Sequence, residues 1–122
     1  METDKRLLFG QVVTLTLLNR TEFAHVLHQL VFREEITPAH AGQAWGDFED
    51  DWSHRVWSLI DFPSRTWQTS VDLARRHGST LGIRTLDSLH VACALELGAD
   101  KFWTFDERQG RLAAAVGLDT NP

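Results

Sequence analysis

Hydrophobic positions along the chain follow two different periods. Short apolar runs, rich in β-branched or aromatic residues, occupy positions 12–15, 57–61 and 101–105, a pattern typical of strands. Between these runs, apolar side chains recur every three or four residues, as on one face of an amphipathic helix. Strands that alternate with helices predict an α/β fold with a parallel sheet.

Capping residues predict where the helices begin and end. A polar side chain that accepts a hydrogen bond favours the first position, and glycine favours the position after the last turn. Five helices are expected: from Asn19 to about Glu35, from Thr37 and Pro38 onward, from Ser64 to Gly78, from Thr85 to Gly98, and from Asp106 to about Val116 with Gly117 after it.

Composition limits the classes of protein that fit. The chain has 122 residues, which predicts one domain over residues 1–122, and its net charge is -5. The acidic balance argues against a protein that binds nucleic acid mainly by neutralising phosphates, but not against an enzyme that uses carboxylates on a nucleic acid. Cys93 is the single cysteine, so it forms no disulfide within the chain and is expected to be a small buried residue in a reducing compartment.

The N-terminal segment resembles a signal peptide only superficially. Lys5 and Arg6 precede an apolar run at residues 7–18, but polar residues interrupt this run and no small-residue cleavage site follows. The run is also shorter than the ~20 residues that a helix needs to span a bilayer. We therefore expect a soluble cytoplasmic protein with no membrane association.

One aspartate lies on an apolar helix face. On a helical wheel, the helix predicted from Thr85 is apolar on nearly every side, and Asp87 is flanked by Val91 and Ala94. A carboxylate there needs a hydrogen bond, a charged partner or a metal ion. The helix dipole favours an acid in the first turn, but it does not explain the direction in which this one points. We therefore favour a functional role for Asp87.

Two other acids also lie near predicted helix starts. Asp106 follows the strand at 101–105, at the edge where α/β folds bind ligands. With Gln109, however, Asp106 also resembles a capping box, which explains it without any function. Glu22 lies on the rim of an apolar stripe, where solvation alone explains an acid.

The three acids together predict a metal site. Each lies near the start of a helix that follows a strand or turn, so a parallel sheet would bring all three to one edge. Clustered carboxylates repel one another unless a cation lies among them, and Mg²⁺ or Mn²⁺ prefers such oxygen ligands. Water bound to the metal is a better nucleophile toward a phosphodiester.

Three stretches resemble the PIN domain, the metal-dependent nuclease fold of VapC-type toxins in bacterial toxin–antitoxin pairs. These are NRTEF at 19–23, RTLDSLHVA at 84–92 and FWTFDERQ at 102–109. The resemblance covers about residue 11 to the C terminus and implies a PIN-like three-layer fold, with a parallel central sheet flanked by helices. It implies that Glu22, Asp87 and Asp106 bind Mg²⁺ or Mn²⁺ and that Thr104 places a hydroxyl beside them as a fourth catalytic residue. It also implies cleavage of RNA and a small cognate antitoxin, and we expect a homodimer.

The chain departs from the family pattern at its beginning. The family's first strand ends in an Asp that is a principal metal ligand, and residues 1–10 contain no such strand, so we expect a PIN domain without its first strand and helix. Asp4 is not expected to replace that ligand, because it precedes the strand at 12–15 instead of ending one. A catalytically impaired scaffold that binds an antitoxin or a second copy is therefore the alternative function. Upstream DNA encoding an apolar strand that ends in Asp would favour the enzyme.

Several other features have simpler interpretations. The acids at 47, 50 and 51 are expected on the wet face of an amphipathic helix, and His25 and His28 on the surface. Arginines 84, 108 and 111 lie near the acidic edge, where phosphate recognition and surface ion pairing explain them equally well. The five tryptophans are consistent with a core and with a dimer or antitoxin interface.

Overall fold

A computed structural model describes residues 13–104 and 106–121 of the chain. The chain divides into two compact units, whose described parts are residues 13–61 in the first, and 62–104 and 106–121 in the second. Five helices and four short strands form these parts, and both strand pairs are parallel. The predicted α/β class with parallel strands is therefore confirmed. Predictions about Asp4, residues 1–12 and Phe105 concern positions outside the described residues.

The first unit is a parallel strand pair joined by two helices. Its elements are β1 (Val13–Thr16), α1 (Leu17–Phe32), α2 (Pro38–Ser53) and β2 (Trp57–Ile60). Strand β1 pairs with β2 along its whole length, as predicted for strands connected through helices.

Helix α1 begins earlier than Asn19, the predicted cap. Thr16 is the cap: its hydroxyl accepts the Asn19 N–H at 3.2 Å, and the Asn19 side-chain oxygen accepts the Thr16 N–H at 2.8 Å. The prediction of Asn19 as the cap was wrong because Asn19 is the second partner of this capping box, three residues inside the helix. Helix α1 ends at Phe32 and not at about Glu35, and Glu34 adopts a left-handed φ of 60°.

Helix α2 begins as predicted, with Thr37 as cap and Pro38 in the first turn. Its inner face contributes to an aromatic cluster, in which the Phe48 ring lies 4.4 Å from that of Trp57 on β2. The cluster consists of Phe23, Trp45, Phe48, Trp52 and Trp57. On the opposite face Asp47 and Asp50 are exposed, as expected, whereas Asp51 is half-buried.

The second unit contains three helices and a shorter strand pair. Its elements are α3 (Thr66–Leu81), α4 (Thr85–Glu96), β3 (Lys101–Phe102), α5 (Glu107–Ala115) and β4 (Asp119–Thr120). Strand β3 pairs in parallel with β4, which could not be predicted from the sequence because two residues are too few for a period to show. The buried core comprises Leu73, Val91, Ala92, Leu112, Ala113 and Leu118.

Two helix boundaries in this unit differ from the predictions. Helix α3 begins at Thr66 after Arg65, without a cap from Ser64, and it continues past Gly78 to Leu81. Gly82 ends it with a left-handed φ of 64°, which glycine adopts without strain. The apolar face that packs in the core extends through Leu81, and this burial outweighs the modest cost of a glycine within a helix.

Helix α4 is capped differently from the prediction. Thr85 is its first residue and Arg84 occupies the cap position, where the Asp87 carboxylate accepts the Arg84 backbone N–H. The helix ends at Glu96, ahead of Gly98. None of the helices in the described ranges is long and apolar enough to cross a membrane.

Candidate active site

Asp87 is buried at the start of α4. Its side chain is 1% exposed, and it begins a continuous buried run that extends to Cys93. The Oδ2 atom accepts the Arg84 N–H at 2.9 Å, so the carboxylate compensates one of the helix's first N–H groups. The helical-wheel expectation that this acid lies within an apolar face is therefore confirmed.

Asp106 caps α5 and is more exposed than Asp87, at 37% of its side chain. Its Oδ1 atom accepts the backbone N–H groups of Arg108 at 2.9 Å and Gln109 at 3.1 Å. The predicted cap is confirmed, but the predicted capping box is only half formed. The Gln109 side chain accepts a hydrogen bond from the Thr104 hydroxyl, while the Asp106 N–H donates to that same hydroxyl oxygen at 3.0 Å.

Thr104 holds the segment that leads into Asp106. Its hydroxyl accepts from Asp106 and donates to Gln109 at 3.0 Å, and its own N–H donates to the Asn121 side-chain oxygen at 2.9 Å. A Thr104 hydroxyl was predicted near the site, and this hydroxyl lies beside Asp106. Asn121 was not predicted, because its contact with Thr104 joins residues 17 positions apart, which no local spacing indicates.

Arg84 links the two aspartates. Its Nε atom lies 3.7 Å from Asp87 Oδ2, and its Nη2 atom lies 3.8 Å from Asp106 Oδ2. The guanidinium is therefore ion-paired with both carboxylates, as one of the two interpretations of this arginine expected. The signal in the sequence is its position one helical turn before Asp87.

A shallow cleft of about 270 Å³ adjoins Asp106. Its lining comprises Thr104, Asp106, Glu107, Gly110, Thr120 and Asn121. Glu107, Arg108 and Arg111 line a second open depression beside Asp106. Glu107 lines both surfaces and was not selected from the sequence, because an acid in the first turn of a helix is expected from the dipole alone.

Glu22 is half-buried on α1, in the first unit. Within residues 13–104 and 106–121, no group of three or more His, Cys, Asp or Glu residues could hold a metal ion. The pair formed by Asp87 and Asp106 has the donor chemistry that Mg²⁺ requires, because this ion commonly binds through one or two carboxylates and keeps several waters. Both Oδ2 atoms also face one cationic group, the Arg84 guanidinium.

The structure defines an α/β protein with parallel strands and an aspartate at each of two helix starts. The family model described as PIN domain matches residues 2–115, and the chain belongs to the PIN domain family. PIN domains are generally metal-dependent nucleases, so the family implies nuclease-type function. No curated protein and no solved structure matched the chain.

Proposed function

We propose that the chain is a metal-dependent endoribonuclease, the toxin of a type II toxin–antitoxin pair. The observation that supports this most directly is the pairing of buried Asp87 with Asp106 around the same guanidinium. A helix start needs no acid this deeply buried, since an exposed cap stabilises it as well. The depth of Asp87 is therefore better explained by a ligand than by helix capping.

The proposed cofactor is Mg²⁺ or Mn²⁺, held by Asp87 and Asp106, while a metal role for Glu22 stays a prediction from the sequence. When bound, such a metal supplies a more acidic water and stabilises negative charge on the leaving oxygen of a phosphodiester. The oxygen-only donor set favours these hard ions over zinc, which prefers nitrogen and sulfur.

The chain's own groups hold the carboxylates in place. The Arg84 N–H fixes one oxygen of Asp87 at 2.9 Å. The N–H groups of Arg108 and Gln109 fix Oδ1 of Asp106, which leaves Oδ2 directed at Arg84. Thr104 orients the backbone at Asp106 through its hydroxyl. We propose that this hydroxyl contributes to catalysis by positioning Asp106.

Exposed aromatic side chains support protein partners for the proposed toxin. Phe32 at the end of α1 is 89% exposed, and Trp67 on α3 is 60% exposed. Large aromatic residues are enriched where proteins bind one another. We propose a cognate antitoxin and a second copy of the chain as the partners.

The experiment is cleavage of a labelled RNA pool by the purified chain with Mg²⁺ or Mn²⁺. We expect Asp87→Asn to cleave RNA at least about 100-fold more slowly, because changes even in outer groups around a metal lower metal affinity or activity by about 10- to 100-fold. The matched control is Asp50→Asn, which makes the same change at an exposed acid of α2 and should retain activity. Cleavage that persists in EDTA would contradict the proposal.

A second candidate function rests on Arg84. Because the guanidinium offsets one of the two negative charges and so reduces the repulsion between the carboxylates, a PIN scaffold without metal is electrostatically tolerable, and such a scaffold would serve to bind an antitoxin or a second copy. Calorimetry with Mn²⁺ separates the two candidates, since a binding module has no need for the ion and the nuclease does.

A further inference from the structure

Arg84 contributes two independent groups to the start of α4. Its backbone N–H donates to Asp87 Oδ2 at 2.9 Å and so belongs to the helix cap. Its guanidinium, by contrast, extends to the Oδ2 atoms of both Asp87 and Asp106, at 3.7 and 3.8 Å. Any side chain except proline retains the backbone bond, so a substitution at residue 84 tests the guanidinium alone.

The guanidinium offsets one of the two negative charges and does not bind either carboxylate tightly. Both distances are longer than a direct charge-assisted hydrogen bond, which is about 2.7 to 2.9 Å. The Arg84 side chain is 65% exposed, so water screens its charge and the side chain can swing away into solvent. The pairing is therefore displaceable.

A divalent cation would need the same oxygens. Mg²⁺ binds carboxylate oxygens at about 2.0 to 2.1 Å, much closer than the guanidinium lies, and two cations beside the same oxygen pair repel each other. Metal binding is therefore less favourable by the free energy with which the guanidinium stabilises the two carboxylates. Arg84 should weaken metal binding as long as it remains in place.

We propose that Arg84 competes with the divalent cation for Asp87 and Asp106, an inference that rests on the proposed metal site. In the absence of metal the guanidinium holds the two carboxylates together against their mutual repulsion. When metal binds, the guanidinium leaves. Arg84 is thus a positioning residue that sets the metal concentration at which the site fills.

Titration calorimetry of the full chain with Mn²⁺ tests the proposal. We expect Arg84→Gln to bind Mn²⁺ roughly 3- to 10-fold more tightly than the unchanged protein, from the loss of two partly exposed ion pairs. Arg84→Lys keeps the charge but has no fork to reach both carboxylates, so its affinity should fall between the two. Arg75→Gln makes the same charge change at an exposed position of α3 and should match the unchanged protein.

The outcomes separate this inference from the proposed function. Equal or weaker Mn²⁺ binding by Arg84→Gln and Arg84→Lys would overturn the competition while leaving the metal site intact. A lower unfolding temperature for these variants without a gain in affinity would show a purely structural role, and it would overturn the competition as well. Absence of Mn²⁺ binding in every protein, or unchanged binding in Asp87→Asn, would overturn both.

Discussion

The starts of α4 and α5 place the same residue type in two different settings. Asp87 lies inside α4, 1% exposed, and accepts one backbone N–H. Asp106 precedes α5, 37% exposed, and accepts two. Both face Arg84, yet capping explains Asp106 completely and Asp87 only in part. Burial therefore makes Asp87 the acid whose position capping alone does not explain, whereas the proposed metal role of Asp106 rests on the guanidinium that it shares with Asp87.

The largest difference in stability should follow loss of the buried acceptor. Asp87→Ala leaves the Arg84 N–H without its bond and should lower the free energy of unfolding by about 1 to 3 kcal/mol. Asp87→Asn keeps a carbonyl oxygen at that position and should cost less. Urea denaturation of both variants measures the difference. An equal loss in the two would mean that the charge, and not the hydrogen bond, stabilises the start of α4.

Loss of the exposed acid, Asp106, should lower the stability less than loss of Asp87, and another capping residue should restore it. Asp106→Ala removes the α5 cap and should cost about 1 kcal/mol, whereas Asp106→Ser should regain most of this because serine caps helices well. Serine supplies no carboxylate, so Mn²⁺ binding should remain weak in both variants. If Asp106→Ser restored Mn²⁺ binding together with stability, Asp106 would be a cap and nothing more.

The smallest expected effect is a pH dependence of stability that arises from Cys93 on α4. Burial raises the pKa of the Cys93 thiol above its ordinary value of 9.0. The Cys93 thiol has a higher pKa in the folded protein than in the unfolded chain. Its contribution to the free energy of unfolding is therefore complete below the pKa of the unfolded chain and is lost as pH rises through the pKa of the folded protein. The difference in stability between the unchanged protein and Cys93→Ala should therefore shrink from about pH 9 upward. A constant difference across this range would show that the thiol does not titrate with unfolding.

Local patterns predicted the elements better than their ends. Thr37 with Pro38 identified the start of α2 because both act within one turn of the chain. The boundaries predicted at Asn19 and Gly78 were wrong. The preceding strand determines where α1 begins and the packed face of α3 determines where that helix ends, and neither is a local property of the sequence. Two-residue strands such as β4 leave no readable period.

The candidate site was also predictable only where local sequence patterns determine it. The depth of Asp87 followed from its neighbours on a helical wheel, and the cap at Asp106 followed from the end of a strand. The contact between Arg84 and Asp106 joins residues of two different helix starts, so no spacing rule could predict it. The metal role of Glu22 and the single-domain interpretation stay predictions, as do the VapC subfamily and the missing first strand.

The aromatic cluster of the first unit has an optical consequence. Trp52 and Trp57 lie 5.8 Å apart with their planes 19° from parallel, close enough for their electronic transitions to couple. The sequence contains no tyrosine, so its five tryptophans and seven phenylalanines are its aromatic chromophores. An exciton signal from this pair would report on the packing of α2 against β2. The substitutions at Asp87 and Asp106 should leave it unchanged in the folded protein, which makes it an internal spectroscopic reference for the fold of each variant.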